Sequence, residues 1–548
     1  MAHALAGKPV QEQDIIDVQT IVDAYFDNVP DMTNPTQLVS FGTSGHRGTS
    51  VDGTFTDLHV AAITQAICDG RKQFGATGPI FVGQDTHALS QPALVTVLEV
   101  LAGNGVTAMV DCDMAFVPTP SVSRAIIRYN EEHDDKADGI IITPSHNPPD
   151  NGGIKYNTII GGPADTVVTK WIEMRANEYL TAYCESEDFK RISIDNIEPT
   201  AQVPYDYKGL YVEELGDVIN MEAIKAAGPK VLVDTLGGSG ASYWNAIKER
   251  YGLDLTIIHD EYDPTFSFMT YDHDGKVRMD CSSTYVMASV INRIGDFDLA
   301  VGNDPDYDRY GIVVSSGLIS ANTFLTLAAR YLFTTRGWKN KGVGKTVVCT
   351  TMIDKWAADA ETPVFEVPVG FKYFSQLLFD GAIGIGGEES AGASFLKKDG
   401  TVWTTDKDGM IMALLSMEIM AVMGKSALKM ADEFVEEFGN PSFGRIDAPC
   451  KKEQKQILKQ MSAELITATT VDGDPITNIR TTSLYNDMPI DGVRVETDKG
   501  WFVARPSGTE DLYKIYGESY KGDLGLVALL TAGEEIVNAA LNGTIETE

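Results

Sequence analysis

Along most of this chain, apolar runs of strand length alternate with segments of helical spacing, and the alternation restarts twice. Residues 80–82, a helix around 92–104, 107–110, a helix around 121–129 and 139–142 form the first round. The second comprises 231–233, a helix at 241–251, 255–258 and 299–301. The third has a helix at 323–334 and strands at 346–349, 364–367 and 383–385. Strand–helix–strand repetition of this kind specifies α/β units with a largely parallel sheet under helices. A chain of 548 residues exceeds what one core supports and predicts roughly three to five domains. Turn-rich or polar stretches put the boundaries at 41–203, 204–317, 318–439 and 440–548, after a helical extension over 1–40. In that extension Ile15, Ile16, Val18, Ile21, Val22, Tyr25 and Phe26 have helical spacing between about 11 and 28, before Pro30. Its amphipathic face offers a surface for a second copy, so a homodimer is kept open. Periodicity does not specify the topology of 440–548.

Lys and Arg total 44 against 78 Asp and Glu, a net charge of −34, so the surface field repels nucleic acid and anionic lipid. Neither is expected as a partner, and anionic substrates require cations concentrated in short segments. The six cysteines form no C-x-x-C pair, which removes a disulfide framework and a thiolate zinc site. Residues 1–10 carry no signal pattern, and no unbroken run of about 18 apolar residues occurs, so a cytoplasmic protein is expected. Residues 410–423 come nearest and read as a buried Met-rich helix.

The segment TPSHNPP, 143–149, directly follows the apolar strand 140–142, where ligand-contacting residues of α/β folds collect. By itself it also reads as a Pro-rich turn. DPDYDR, 304–309, follows another apolar strand and crowds Asp304, Asp306 and Asp308 into a tight loop. Like charges at that spacing repel unless a cation sits among them. Arg309 and Ser315 occupy positions where a calcium EF-hand needs glycine and glutamate, and three hard oxygens suit magnesium better. Arg505, Ser507, Gly508 and Thr509, with Lys514 nearby, offer a guanidinium fork, hydroxyls and a glycine N–H, which is a phosphate cradle or an ordinary surface turn. GEESAG, 387–392, presents carboxylate and hydroxyl groups able to bind sugar hydroxyls.

Two motifs fail on spacing. GVGKT, 342–346, lacks the first glycine of a P-loop, since Lys339 stands there. GTSGHRG, 42–48, has Gly45 directly after its serine and His46 where a hydrolase elbow needs glycine. Its glycines still let an anion approach Arg47.

Taken in order, FGTSGHRG (41–48), TPSHNPP (143–149), DPDYDR (304–309), GGEESAG (386–392) and RPSGTE (505–510) resemble the motif set of the α-D-phosphohexomutases, over nearly the whole chain after residue 40. The flanks VPVGFKYF (367–374) and TTDKDG (404–409) resemble the bacterial phosphoglucomutase branch more than the shorter phosphomannomutase or phosphoglucosamine mutase branches.

The resemblance implies three related mixed-sheet α/β domains and a C-terminal α+β, TBP-like domain around a central cleft. It implies that Ser145 carries a phosphoryl group, and that Asp304, Asp306 and Asp308 hold Mg2+ together with a phosphoserine oxygen. Arg47 and Arg309 fall beside that phosphate, Lys155 where a general base is placed, and His146 in the same site. Glu388 and Ser390 match the pair that grips sugar hydroxyls, while Lys372 and Lys407 lie in substrate-facing loops. Arg505, Ser507, Gly508 and Thr509 match a distal phosphate site; Lys514 stands where some relatives have arginine, which loses a bidentate fork.

The implied activity is a phosphoglucomutase reaction between glucose 1-phosphate and glucose 6-phosphate. Glucose 1,6-bisphosphate is its intermediate and activator, and the bisphosphate reorients between two phosphate sites. Another phosphosugar, such as a mannose, glucosamine or pentose phosphate, stays open as substrate. Against a catalytically silent phosphosugar binder, the serine, the three aspartates and the cradle are all intact.

Overall fold

The computed structural model describes residues 2–42, 44–184, 189–507 and 512–541. In the first sheet, Asp138–Ile142, Ile80–Gln84, Ala108–Asp111 and Gln202–Tyr205 run parallel in that order. Asn151–Asn157 and His46–Thr49 extend one edge antiparallel. The second sheet sets Val231–Asp234 between its parallel neighbours Leu255–Ile258 and Leu299–Asn303, then adds Tyr310–Val314 and Gly317–Leu318 antiparallel. In the third, Gly342–Thr346 lies parallel between Val364–Val367 and Ile383–Gly387, and Ala393–Phe395 returns antiparallel. Strands such as Asp138–Ile142 and Leu299–Asn303 are buried throughout. Burial on both faces explains why they read as unbroken apolar runs.

The third sheet corrects one strand assignment. Its first strand is Gly342–Thr346, not 346–349; Val347 and Val348 pack instead against the C-terminal domain. The two glycines that weaken the strand signal are a packing requirement. A Cβ on Gly342 would lie 2.2 Å from the Phe365 ring, and one on Gly344 2.8 Å from Ile383.

Each α/β sheet uses the same device at one place. A buried parallel strand leaves the sheet through a short loop and returns as its antiparallel neighbour: 143–150, 304–309 and 388–392. Each loop holds one non-glycine residue in the left-handed region, Ser145 (φ 61°), Tyr307 (φ 63°) and Ala391 (φ 67°). The loops also touch. Arg309 bridges Gly392, and the backbone N–H groups of Thr119 and Gly409 donate to the carbonyls of Asp306 and Tyr307, both at 2.9 Å.

The first domain has its own core, whereas the second and third share one continuous cluster running from Tyr211 to Phe434. The C-terminal domain is a six-stranded antiparallel sheet with the helices Lys452–Lys459 and Gly522–Leu541. In Gly500–Pro506 the side chains alternate in period two. Phe502 and Ala504 join the core under those helices, while Trp501 and Val503 pack on Val347 and Val348 of the third domain. Gly522–Leu541 is long and apolar enough to cross a membrane by composition alone. Asp523, Glu534 and Glu535 interrupt its apolar run, and Leu529, Leu530, Val537 and Ala540 are buried against the domain core.

The N-terminal helix is shorter than 11–28: a 3-10 turn, Glu12–Asp14, precedes Val18–Asp27. Ile21 and Tyr25 are buried in the first domain's core, and the Tyr25 hydroxyl pairs with Thr96 Oγ1 at 2.9 Å. The arm before it binds the second domain, where Pro9 bridges Thr270 and the Tyr271 hydroxyl donates to Asp14 at 2.5 Å. The buried part of this apolar face is therefore occupied by the chain's own domains.

Candidate active site

The three loops bring together residues from three sheets. Ser145 is 1 % exposed, and its hydroxyl donates to Asp304 Oδ2 at 2.9 Å. Asp304, Asp306 and Asp308 are all fully buried, and each offers a carboxylate oxygen within 4.8 Å of the others. Asp306 Oδ2 accepts from Lys155 Nζ at 2.6 Å and from Thr119 Oγ1 at 2.8 Å. Asp308 Oδ2 lies 3.1 Å from Lys155 Nζ and 2.7 Å from Lys407 Nζ. Among the described residues Asp306 Oδ1 and Asp308 Oδ1 have no hydrogen-bond partner. Buried carboxylate oxygens without donors are costly unless a cation completes them, so the donor set fits a hard metal ion.

The fields at these groups differ. Burial, then Asp306 and Asp308, raises Asp304 well above the usual carboxylate range. Burial acts the same way on Asp308, but Lys155, Lys407 and Arg309 outweigh it and hold that group well below its ordinary value. Burial opposes the Lys155 charge, yet Asp306 and Asp308 shift the ammonium upward. His146 Nδ1 stands 3.3 Å from Ser145 Oγ; burial and then Arg309 push its imidazole well down, against the pull of Asp280.

Arg309 donates to Asp280 Oδ2 at 3.2 Å, and its backbone N–H reaches Asp304 Oδ1 at 2.9 Å. Arg47 spans Asn147 Oδ1 at 3.4 Å and Ser44 Oγ at 3.3 Å. A cavity beside the acidic loop is lined by Ser44, Lys155, Asp308, Lys372, Glu388 and Lys407. Burial raises the Glu388 carboxyl to about 7, although Lys407 pulls the other way. Ser390 is half-buried two positions along. Lys372 Nζ donates to Thr166 Oγ1 at 2.8 Å, and burial lowers its ammonium.

Arg505 and Ser507 stand on the C-terminal domain, with Lys514 cross-strand from Arg505. The Arg505 charge acts on Tyr373, the neighbour of Lys372 in the third domain. Gly508 and Thr509 lie outside the described residues.

Three residues of the site were not found from the sequence. Thr119 opens the helix Thr119–Glu132 and sends both its hydroxyl and its N–H to Asp306. Asp280 braces Arg309 and lies 3.9 Å from His146 Nε2. Asp406 lines the cavity and accepts from Asn157 at 3.0 Å. Only Asp406 lay within a segment that the sequence had singled out, TTDKDG at 404–409.

Models of the four phosphoglucomutase/phosphomannomutase domains match this chain in order. Alpha/beta/alpha domains I, II and III match 38–182, 210–317 and 320–438, and the C-terminal domain matches 447–524. The chain belongs to the phosphoglucomutase/phosphomannomutase family. It is 47 % identical to a phosphoglucomutase of Komagataeibacter xylinus over 97 % of either chain. Phosphoglucomutase 1 of Saccharomyces cerevisiae is 27 % identical, covering 88 % of each. The family fold recurs in a putative phosphomannomutase from Thermus thermophilus, at TM-score 0.71 and 23 % identity, covering 91 % of this chain and 99 % of that one. The open form of pp63/parafusin from Paramecium also has TM-score 0.71, at 19 % identity over 94 % and 96 %. As a phosphohexomutase-family member the chain is an intramolecular phosphotransferase.

Proposed function

We propose that this phosphohexomutase interconverts α-D-glucose 1-phosphate and glucose 6-phosphate through a phosphoryl group carried on Ser145. The observation that carries the reading is the Ser145 hydroxyl held 2.9 Å from Asp304, inside a buried triad in which Asp306 and Asp308 each keep an oxygen without a donor among the described residues. Phosphoryl transfer demands positioning and charge neutralisation more than covalent chemistry from the protein. A magnesium ion held by Asp304, Asp306 and Asp308 would neutralise charge on the phosphoryl oxygens. Lys155 and Lys407 tie Asp306 and Asp308 in place, and Arg309 and Arg47 add positive charge on the Ser145 side.

The transfer itself balances simply. A sugar hydroxyl oxygen attacks phosphorus, the bond from phosphorus to Ser145 Oγ breaks, and the proton lost by the sugar hydroxyl is returned to the departing serine oxygen through a base, either His146, 3.3 Å from Ser145 Oγ, or Lys155 at the acidic triad. The resulting glucose 1,6-bisphosphate turns end for end and returns its other phosphoryl group to the Ser145 oxygen. Glu388, with Ser390, accepts hydroxyl hydrogens in both orientations, and Arg505, Ser507 and Lys514, with Gly508 and Thr509, take the far phosphate. Lys372 extends over the sugar between them. The substrates are small charged metabolites that do not cross a bilayer unaided, which assigns the protein to the cytoplasm.

The test is a coupled assay of glucose 6-phosphate formed from glucose 1-phosphate with magnesium and a trace of the bisphosphate. The same assay on mannose, glucosamine and pentose 1-phosphates ranks the sugars. Turnover that is fastest on glucose 1-phosphate supports the reading, and a faster rate on another sugar replaces glucose as the substrate.

A further inference from the structure

Behind the 143–150 loop lies a buried polar cluster that no step above uses. Asp85 follows the strand Ile80–Gln84, and Asp85, His87, Ser90 and Thr143 are each no more than 1 % exposed. Four donors converge on one carboxylate. Asp85 Oδ1 accepts from Ser90 Oγ at 2.5 Å and from the His87 N–H at 3.0 Å. Oδ2 takes His87 Nδ1 at 2.8 Å and Thr143 Oγ1 at 2.6 Å.

A threonine hydroxyl has one hydrogen and two lone pairs. With the Thr143 hydrogen committed to Asp85, a lone pair is turned to the Ser145 N–H, 2.7 Å away. On the other side of the serine, His87 Nε2 meets the Asn147 carbonyl at 3.0 Å. Both ring nitrogens face an acceptor, an arrangement that suits the imidazolium form. The ring also leans on Phe266 of the second domain, with centroids 5.1 Å apart. One charged pair thus grips the loop two residues before Ser145 and two residues after it.

The grip matters because Ser145 sits at φ 61°. A non-glycine residue there is strained and persists only where its surroundings over-determine it. If the backbone relaxed to φ below zero, the Oγ would swing away from Asp304.

We propose that Asp85, His87 and Thr143 form a positioning cluster that locks Ser145 in its left-handed conformation and so aims Ser145 Oγ at the acidic triad. Its effect on turnover rests on the reading of Ser145 as the phosphoryl carrier; its effect on conformation does not. None of the three touches the reacting atoms, so their contribution falls on the transfer step rather than on sugar binding.

Thr143→Val and Thr143→Ser in the full chain separate this from simple packing. Valine keeps the shape and removes both hydrogen bonds, while serine keeps the hydroxyl. Thr143→Val is expected to lower kcat by about 30- to 1000-fold with KM for glucose 1-phosphate moving less than about threefold. Thr143→Ser should stay within about tenfold of the natural protein, and adding Asp85→Asn to Thr143→Val should lower kcat little further, because one unit is already broken. Equal losses in the valine and serine variants, or a loss confined to KM, would overturn the proposal. A crystal structure of Thr143→Val reads the conformation directly. Ser145 leaving the left-handed region is the expected result, and an unchanged φ with an unchanged distance to Asp304 would overturn it whether or not Ser145 carries phosphate. Absence of phosphate and turnover in the natural protein would instead defeat the reading of Ser145 as carrier.

Discussion

Ser145 and Asp304 are 159 positions apart and lie on different sheets, yet the hydroxyl of one donates to the carboxylate of the other at 2.9 Å. Two repeats of one architectural device make the contact possible, since each residue sits where a buried parallel strand turns back as an antiparallel one. The third repeat contributes Glu388 and Ser390 from the equivalent turn. Docking the three turns edge to edge places Ser145, the acidic triad and Glu388 around one cleft without long loops.

Asp306 is the sharpest probe of the triad. Its Oδ2 is taken by Lys155 and Thr119, which leaves Oδ1 free for a cation. Asp306→Asn keeps the shape and removes a negative charge. The magnesium concentration for half-maximal activity is expected to rise at least about tenfold, with matching weakening of magnesium binding by calorimetry on the resting protein. Unchanged binding would remove the triad as the metal site.

Glu388 makes the pH dependence specific. Burial lifts its carboxyl to about 7, so the group is protonated at pH 6 and ionised at pH 8. Only the ionised form accepts sugar hydroxyls with both oxygens. KM for glucose 1-phosphate should therefore rise as pH falls through 7, by about tenfold per unit at the acidic end, and that slope should vanish in Glu388→Gln. The linkage has the opposite sign for stability. A raised folded value makes the charged form unfavourable in the native state, so this group's contribution to stability is present below about 4.5 and lost as pH rises through 7. Glu388→Gln should accordingly raise the melting temperature of the ligand-free protein more at pH 8 than at pH 5.

The C-terminal domain is tied to the third by Arg480, which holds Glu366 through two hydrogen bonds at 2.6 and 2.9 Å. Both side chains are at least nine-tenths buried. Removing Glu366 leaves Arg480 with Glu496, 3.2 Å from its Nη2, so the loss falls short of the about 3–5 kcal/mol of a fully stranded charge. Glu366→Ala is expected to lower the unfolding free energy by about 1–3 kcal/mol and to expose sites in 440–541 to limited proteolysis first. An unaltered digestion pattern would mean that the apolar contacts of Trp501 and Val503 suffice to dock the domain.

What could be read from the sequence follows from the same physics. Strands buried on both faces are unbroken apolar runs, so 139–142 and 299–301 pointed to the loops that follow them, and the motifs in those loops supplied Ser145 and the three aspartates. GVGKT hid a fully buried strand, because its glycines make room for Phe365 and Phe374 at the expense of strand propensity. The C-terminal sheet was not legible because the short side chains and charges of Asp474–Thr482 leave a weak period-two signal, although its neighbours pair along most of its length. Thr119, Asp280 and Asp85 escaped for another reason. Each is a single polar residue whose importance comes from docking against a distant loop, and nothing local marks such a residue.

The central claim is that Ser145 carries the phosphoryl group. It is tested most directly by intact-mass and peptide analysis of the natural protein and of Ser145→Ala after incubation with glucose 1,6-bisphosphate, with turnover measured on the same samples. With Ser145 as the carrier, one phosphate is expected on Ser145 in the natural protein and none in the variant, whose melting temperature is unchanged and whose kcat is reduced by at least about 1000-fold. Turnover of Ser145→Ala near the natural rate, or a phosphate borne by another residue in the natural protein, would contradict it.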